Sequence, residues 1–365
     1  MDVFKRNINN IFFIFLFSHL IIWTLVPTLT NHNLPLDVIE ALAWGSNLEW
    51  GFNKHPPASA FFLELFYQIF GAQDWAYYLL SQIFVCVAFI YVFKLANEIF
   101  NNLLLSLISV LLLESIYFYN FTTPEFNVNV CQLPFWSMVV FYSWKIFKNN
   151  EIDVKDCILI GFFGAVGFLS KYLFIYLLLS IVLLFLYFIF FKKLKKFDFK
   201  YFIAIEVFAI LLVPHLIWLN ENDYITLTYG LKRTGLETSK LLDHLKFPVI
   251  FILKQIGILI PFLGLVYLLI KKFKFTFNLK DKKLIFLVFV NLLPIFLMFL
   301  TSIITGSKTR TMWMTPFYLF LGVFAVYLFK NQIKSKKLNS FFLWVCLFGL
   351  LVTNFIFLHF NETNQ

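Results

Sequence analysis

The sequence is poor in nearly everything a water-soluble domain is made from. Charged residues make up 14% of its 365 positions, whereas 61% are hydrophobic and phenylalanine alone accounts for 52. With a mean hydropathy of +0.81, the chain has too little polar surface to cover its apolar side chains in water. A lipid bilayer must be the solvent for most of it. No glycine-rich phosphate loop occurs, so energy coupling through a bound nucleotide is unsupported. The four cysteines, Cys86, Cys131, Cys157 and Cys346, lie within or beside apolar runs and follow no disulfide or zinc-knuckle spacing. They read as small buried apolar residues. Nor does a small-residue cleavage site follow the first apolar run, which reads as an uncleaved anchor rather than a signal peptide. No internal repeat is evident.

What the chain has in abundance is apolar length. A helical span needs roughly 20 mostly apolar residues, and by that rule the chain divides into about eleven. They fall near 10–27, 76–96, 101–119, 127–147, 155–170, 173–191, 201–219, 247–270, 284–304, 311–330 and 340–359. The expected fold is an all-α integral membrane protein, one polytopic domain over residues 1–365, with no soluble domain. Basic residues crowd alternate loops, at 5–6, 145–155, 192–200, 271–283 and 330–337. The positive-inside rule puts those loops in the cytoplasm with the N-terminus, and the C-terminus outside. A net charge of +10 then reflects topology, not nucleic-acid binding. The longest connecting stretches, 28–75 and 220–246, fall on the opposite, outer face together with most of the loop acids. Chemistry is expected there.

The first outer stretch reads LPLDVIEALAWGSNLEWGFNKHPP over 34–57. Pro35 suits a first helical turn with Asn33 as its N-cap. Asp37 and Glu40, at i and i+3, would share one face. Ile39, Leu42, Ala43 and Leu48 would lie on the membrane surface, and Pro56-Pro57 would open a second interfacial helix, ASAFFLELFYQIF. Acids at a helix start gain about 0.3–1 kcal/mol from the dipole, which would also keep Asp37 ionised. An ionised carboxylate is equally what a sugar transferase needs to deprotonate an acceptor hydroxyl. Lys54 either snorkels to headgroups or holds a departing phosphate, and His55 beside it has the weaker claim.

Further candidates follow along the chain. Thr122 and Glu125 have capping-box spacing, yet Glu125 stands on the same outer face as Asp37, where it could bind a divalent cation or assist the base. Lys171 interrupts an apolar run, at a cost of about 2.5–3.5 kcal/mol on insertion scales. That cost falls if Ser170-Lys171-Tyr172 is the outer tip of a tight hairpin. Lys171 would there be a phosphate ligand, as would Arg310, beside Lys308 in the outer loop TGSKTRT, and Arg233 in YGLKRTG. His215, after Pro214, is a helix-end residue with the option of ligating a metal. Glu114 and Glu206 sit within spans and have no evident role.

In order along the chain, the acids at Asp37 and Glu40, WGFNKHPP at 50–57, TTPEFNVN at 122–129, FLSKY at 168–172 and PHLIWLNENDYITLTYGLKR at 214–233 carry a resemblance. The chain resembles the bacterial polyprenyl-phosphate-sugar-dependent glycosyltransferases related to protein O-mannosyltransferases and to the lipid A aminoarabinose transferase. The resemblance implies a GT-C membrane fold and an inverting transfer at the outer face of the inner membrane. The donor would be a polyprenyl-phosphate-linked sugar and the acceptor lipid A, a glycan or a protein. Asp37 would match the first-loop catalytic acid, Glu125 the acid of the second outer loop, and Lys54 the basic residue before the paired prolines. Many members carry adjacent acids where Val38 and Ile39 intervene here, so the base is Asp37 or Glu40. A transporter or flippase of lipid-linked sugars would instead pair charges across the midplane of its spans. A non-catalytic scaffold would leave the acids and the KHPP run without a role.

Overall fold

The computed structural model describes residues 2–149, 151–235, 239–270, 278, 280–333, 337–347 and 349. Among these residues the regular elements are all helical, and no strand occurs. Two long apolar helices, α1 (Asp2–Thr30) and α4 (Asp74–Phe100), bracket two shorter ones, α2 (Leu36–Gly45) and α3 (Ala58–Phe70). After α5 (Leu103–Leu111) come two 3-10 turns, Leu112–Ser115 and Tyr117–Tyr119, then α6 (Val128–Cys131) and α7 (Leu133–Lys148). A break at Lys171 separates α8 (Val154–Ser170) from α9 (Ile175–Leu186). The chain continues through α10 (Tyr201–Glu221), α11 (Ile225–Thr234), α12 (Asp243–Leu269) and α13 (Lys282–Thr305). A 3-10 segment, Thr311–Tyr318, precedes α14 (Leu321–Phe329), and a further apolar helix covers Lys337–Leu347.

Six of these helices are long and apolar enough to cross a membrane, and Thr311–Tyr318 with Leu321–Phe329, bent by 53°, would make a seventh. The chain is a multi-pass membrane protein. The expected count of eleven spans is not confirmed, and the reasons are local. The run at 101–119 loses helical geometry after Leu111. The run at 127–147 is divided between α6 and α7, and α7 and α8 have 16 and 17 residues, short of the roughly 20 a straight span needs. The run at 340–359 lies mostly outside the described residues.

α4 is the centre of the bundle, packed against α1, α3, α5 and α7. Its sequence is apolar on every side, which is what a helix surrounded by neighbours requires. α8 packs between α7 and α10, α13 against α9 and α12, and α14 against α5. At the last crossing a Cβ on Gly322 would stand 2.0 Å from the Ser109 carbonyl oxygen, so only glycine allows that approach. α10 and α12 are peripheral and show Ile205, Ile210, Leu253 and Ile260 to the lipid. Cys86, Cys131 and Cys157 are buried and free as expected, whereas Cys346 is exposed.

The two ends of the bundle differ. One end gathers the lysine-rich connections: Lys145 pairs with Asp156 at 2.7 Å and Lys148 with Glu98 at 2.6 Å. There Lys283 donates to the Ile99 carbonyl and Lys337 to the Ile270 carbonyl, where cations meet the negative ends of helix dipoles. The other end gathers α2, α3, α11 and the breaks before α6, α9 and α14.

Candidate active site

α2 begins two positions later than an Asn33 cap would have it. Pro35 takes the N-cap place with an extended backbone, and its carbonyl accepts from Val38 N–H at 3.1 Å and Ile39 N–H at 3.2 Å. Proline loses nothing there because that amide would have no helical partner. Val38 and Ala41 face inward, Ile39 faces out, and Asp37 and Glu40 are half-buried on a shared side. α3 forms over the second predicted interfacial segment and packs on α2. A Cβ on Gly45 would meet the Ala60 carbonyl oxygen at 2.8 Å.

The loop joining α2 to α3 is clamped to α10 and α11. The indole N–H of Trp218 donates to Glu49 at 3.0 Å, and the Thr226 hydroxyl donates to the Phe52 carbonyl at 2.5 Å. His215 Nδ1–H donates to the Trp50 carbonyl at 2.6 Å, and the Tyr172 hydroxyl donates to Nε2 at 2.7 Å. Both ring nitrogens are engaged, so His215 acts here as a structural pin. Gly51 lies under Trp218, where a Cβ would come within 2.3 Å of the ring. This clamp fixes Lys54 and His55, two residues downstream.

Those elements enclose a cavity of about 560 Å³. Asp37, Glu40, Lys54 and His55 form one wall. Asn129, Lys171, Tyr172, Thr226, Tyr229, Arg233 and Trp313 line it elsewhere, among apolar residues such as Leu36, Leu173 and Met312. Lys54 and Glu40 are ion-paired. The Lys171 ammonium donates to Asn129 Oδ1 at 2.6 Å and lies 5.1 Å from the Trp313 ring centroid. Arg233 donates to the Tyr229 hydroxyl. Lys171 is 7% exposed, so it is a buried lysine at the break between α8 and α9 and does not snorkel to solvent.

Electrostatics follow from this packing. Burial and the neighbouring Glu40 push the Asp37 carboxyl above its ordinary value of 3.8, against the pull of Arg233, Lys171 and Lys54. The net shift is thus upward, opposite to the direction expected from the helix dipole. Burial, with help from Lys171, Arg233 and Lys54, lowers His55 to about 3, so its imidazole is neutral. Burial pulls Lys171 well below its usual range, with Asp37 opposing.

Glu125 is not a wall residue. Its carboxylate accepts from the Asp37 backbone N–H at 3.5 Å and from Asn127 at 3.2 Å, and burial followed by Asp37 raises its pKa. The capping-box reading is displaced too, because Asn127 caps α6 by accepting from the amides of Asn129 and Val130. Arg310 is exposed and does not line the cavity, although its charge is felt by Lys171. Among the described residues no group of three or more His, Cys, Asp or Glu side chains is placed to hold a metal ion. Sequence reasoning missed Asn129, Tyr229 and Trp313 as site residues. A buried lysine requires a nearby acceptor, and the asparagines of FNVN were the available signal.

Residues 54–218 match the family model of dolichyl-phosphate-mannose-protein mannosyltransferase. A solved structure, ArnT from Cupriavidus metallidurans bound to undecaprenyl phosphate, aligns over 92% of this chain with a TM-score of 0.62 at 11% identity. By that likeness the chain has the fold of ArnT, and its residues 54–218 are similar to the mannosyltransferase family. The chain covers 62% of the ArnT chain, about three fifths of its length. No curated protein matches the sequence. The segment matched by the family holds Lys54, Glu125, Asn129 and Lys171, while Asp37, Glu40, Arg233 and Trp313 lie outside it.

Proposed function

We propose that the protein transfers a sugar, with inversion, from a polyprenyl-phosphate donor to a lipid A, glycan or protein acceptor. The observation that carries this reading is one cavity walled by two carboxylates, Asp37 and Glu40, and three cations, Lys54, Lys171 and Arg233. Asp37 takes the proton of the acceptor hydroxyl. The freed oxygen pair attacks the anomeric carbon, and the bond from that carbon to the phosphate oxygen breaks with both electrons leaving on phosphate. Lys171 and Arg233, which have neutral partners here, receive the growing charge. An arriving phosphate also holds Lys171 in its charged form. Lys54 exchanges Glu40 for the phosphate, which releases Glu40 to assist Asp37. Glu125 holds the start of α2 and so the position of Asp37.

Among the described residues no three His, Cys, Asp or Glu side chains gather to hold a divalent cation, and in this reading the three cations meet the phosphate. The chain works as one membrane domain, with 28–75 and 220–246 supplying its outer loops. By the lysine distribution it sits in a bacterial inner membrane with its N-terminus in the cytoplasm and the cavity facing the periplasm. The donor therefore reaches the cavity already flipped, its polyprenyl tail entering from the bilayer. A flippase would string charge pairs through the spans. Among the described residues the bundle interior holds one such pair, His19 with Glu114 at 2.8 Å.

Mass spectrometry of envelope lipids and glycans tests the proposal in three strains: intact, Asp37→Asn and null. Loss of one sugar mass in both altered strains supports it and identifies the acceptor. Retention in Asp37→Asn with loss in the null moves the base to Glu40. Three identical profiles overturn the transferase reading.

A further inference from the structure

Behind Asp37 and Glu40 lies a second, much smaller space of about 10 Å³, also lined by His55, Ser59 and Asn127. That is the room one water needs, provided two or more polar partners surround it. Ser59, the second residue of α3, is 1% exposed, and its hydroxyl has no hydrogen-bond partner. Buried hydroxyls are seldom left unpaired because the lost hydration is not replaced. Among the described residues, the Asp37 carboxyl likewise accepts no hydrogen bond; the bond to Glu125 is made by the Asp37 backbone amide. Two polar groups without partners thus border one water-sized gap.

We propose that this space holds a single structural water that accepts from the Ser59 hydroxyl and donates to the Asp37 carboxylate, making Ser59 a positioning residue for the catalytic acid. His55, a neutral imidazole on the same wall, offers an acceptor nitrogen for the second hydrogen of the water. The catalytic role of Asp37 rests on the function proposed above; the water site does not. The ionisable groups that act on Asp37 are Glu40 on its own helix, Lys54 on the loop, Lys171 at the α8–α9 break and Arg233 on α11. His55 borders the same space, and Glu125 lies at the start of α2. Glu40 and Glu125 oppose ionisation and the three cations favour it. A donating water joins the cations.

The test needs neither donor nor acceptor. In purified protein in nanodiscs, infrared spectra titrated with pH contain a protonated-carboxyl band for Asp37, identified by its loss in Asp37→Asn. Ser59→Ala removes the hydroxyl and should not harm α3, since alanine is a good helix former. Ser59→Thr keeps the hydroxyl but places a methyl group in the gap. With the water in place, both substitutions raise the midpoint of the band by about half a pH unit or more, the loss of one charge-assisted hydrogen bond. A shift in Ser59→Ala alone means that the hydroxyl acts without water, and overturns the water site. An unchanged midpoint in both variants overturns the positioning role as well. Failure of the envelope experiment, by contrast, would leave these midpoints unaffected.

Discussion

The two ends of the bundle use the same residue types in opposite ways. At the lysine-rich end, cations meet carboxylates or helix-terminal carbonyls: Lys145 with Asp156, Lys148 with Glu98, Lys283 with Ile99 and Lys337 with Ile270. At the cavity end, Lys171 leans on an asparagine and a tryptophan, Arg233 on a tyrosine, and Asp37 on no side chain. The first arrangement is satisfied and serves the scaffold. Apart from the Lys54–Glu40 pair, the second leaves charge without a bonded counter-charge, and for the buried Lys171 that has a cost which, in the proposed function, a bound phosphate would repay.

The largest effect that would test this contrast is on transfer itself. Asp37→Asn keeps the shape of the wall and removes the base, so turnover should fall by roughly 10²-fold or more, measured by product formation in proteoliposomes. Lys171→Met comes next. It should weaken polyprenyl-phosphate binding by roughly 30-fold or more while leaving the fold as stable or slightly more so, because the ammonium has no carboxylate to lose. Equal losses of binding and stability would place Lys171 with the scaffold lysines.

The pH dependence sharpens the same contrast. A base must be ionised, and Asp37 titrates above its ordinary 3.8, so the rate should fall with acid through a limb displaced upward from the normal aspartate range. His55, lowered to about 3, should add no inflection near neutrality; an inflection near its ordinary 6.5 that His55→Gln removes would refute that assignment. At the other end the effects should be on stability alone. Lys145→Met strands the 1%-exposed Asp156 and should cost about 2–3 kcal/mol. Lys148→Met breaks a pair that is largely in solvent and should cost about 0–1 kcal/mol. Thermal unfolding of both variants, with specific activity of the folded fraction unchanged, checks this pair.

Much of this was legible along the chain because charge is scarce in it. Asp37, Glu40, Lys54 and Lys171 stand out against apolar surroundings, and the structure brings all four to one cavity. Partners were less legible than charges. Asn129 carries no charge to mark it, and Trp313 is one aromatic among many, so neither announced itself as the support of Lys171. The Lys54–Glu40 pair spans a loop whose path is set by Trp218 and His215, more than 160 residues away. The span count is not confirmed where apolar composition hid a change of geometry, as after Leu111, since hydropathy does not distinguish a straight helix from successive 3-10 turns. Asn33 looked like a cap by residue type, but Pro35 supplies the cap carbonyl without help from any side chain.

The most direct test is the binding of undecaprenyl phosphate to three purified proteins: the unaltered chain, Lys171→Met/Arg233→Gln, and Lys148→Met/Lys283→Met. Affinity should fall by roughly 100-fold or more in the first double variant and be unchanged in the second. Retained affinity in the first, or equal loss in both, would contradict the phosphate-binding role of Lys171 and Arg233.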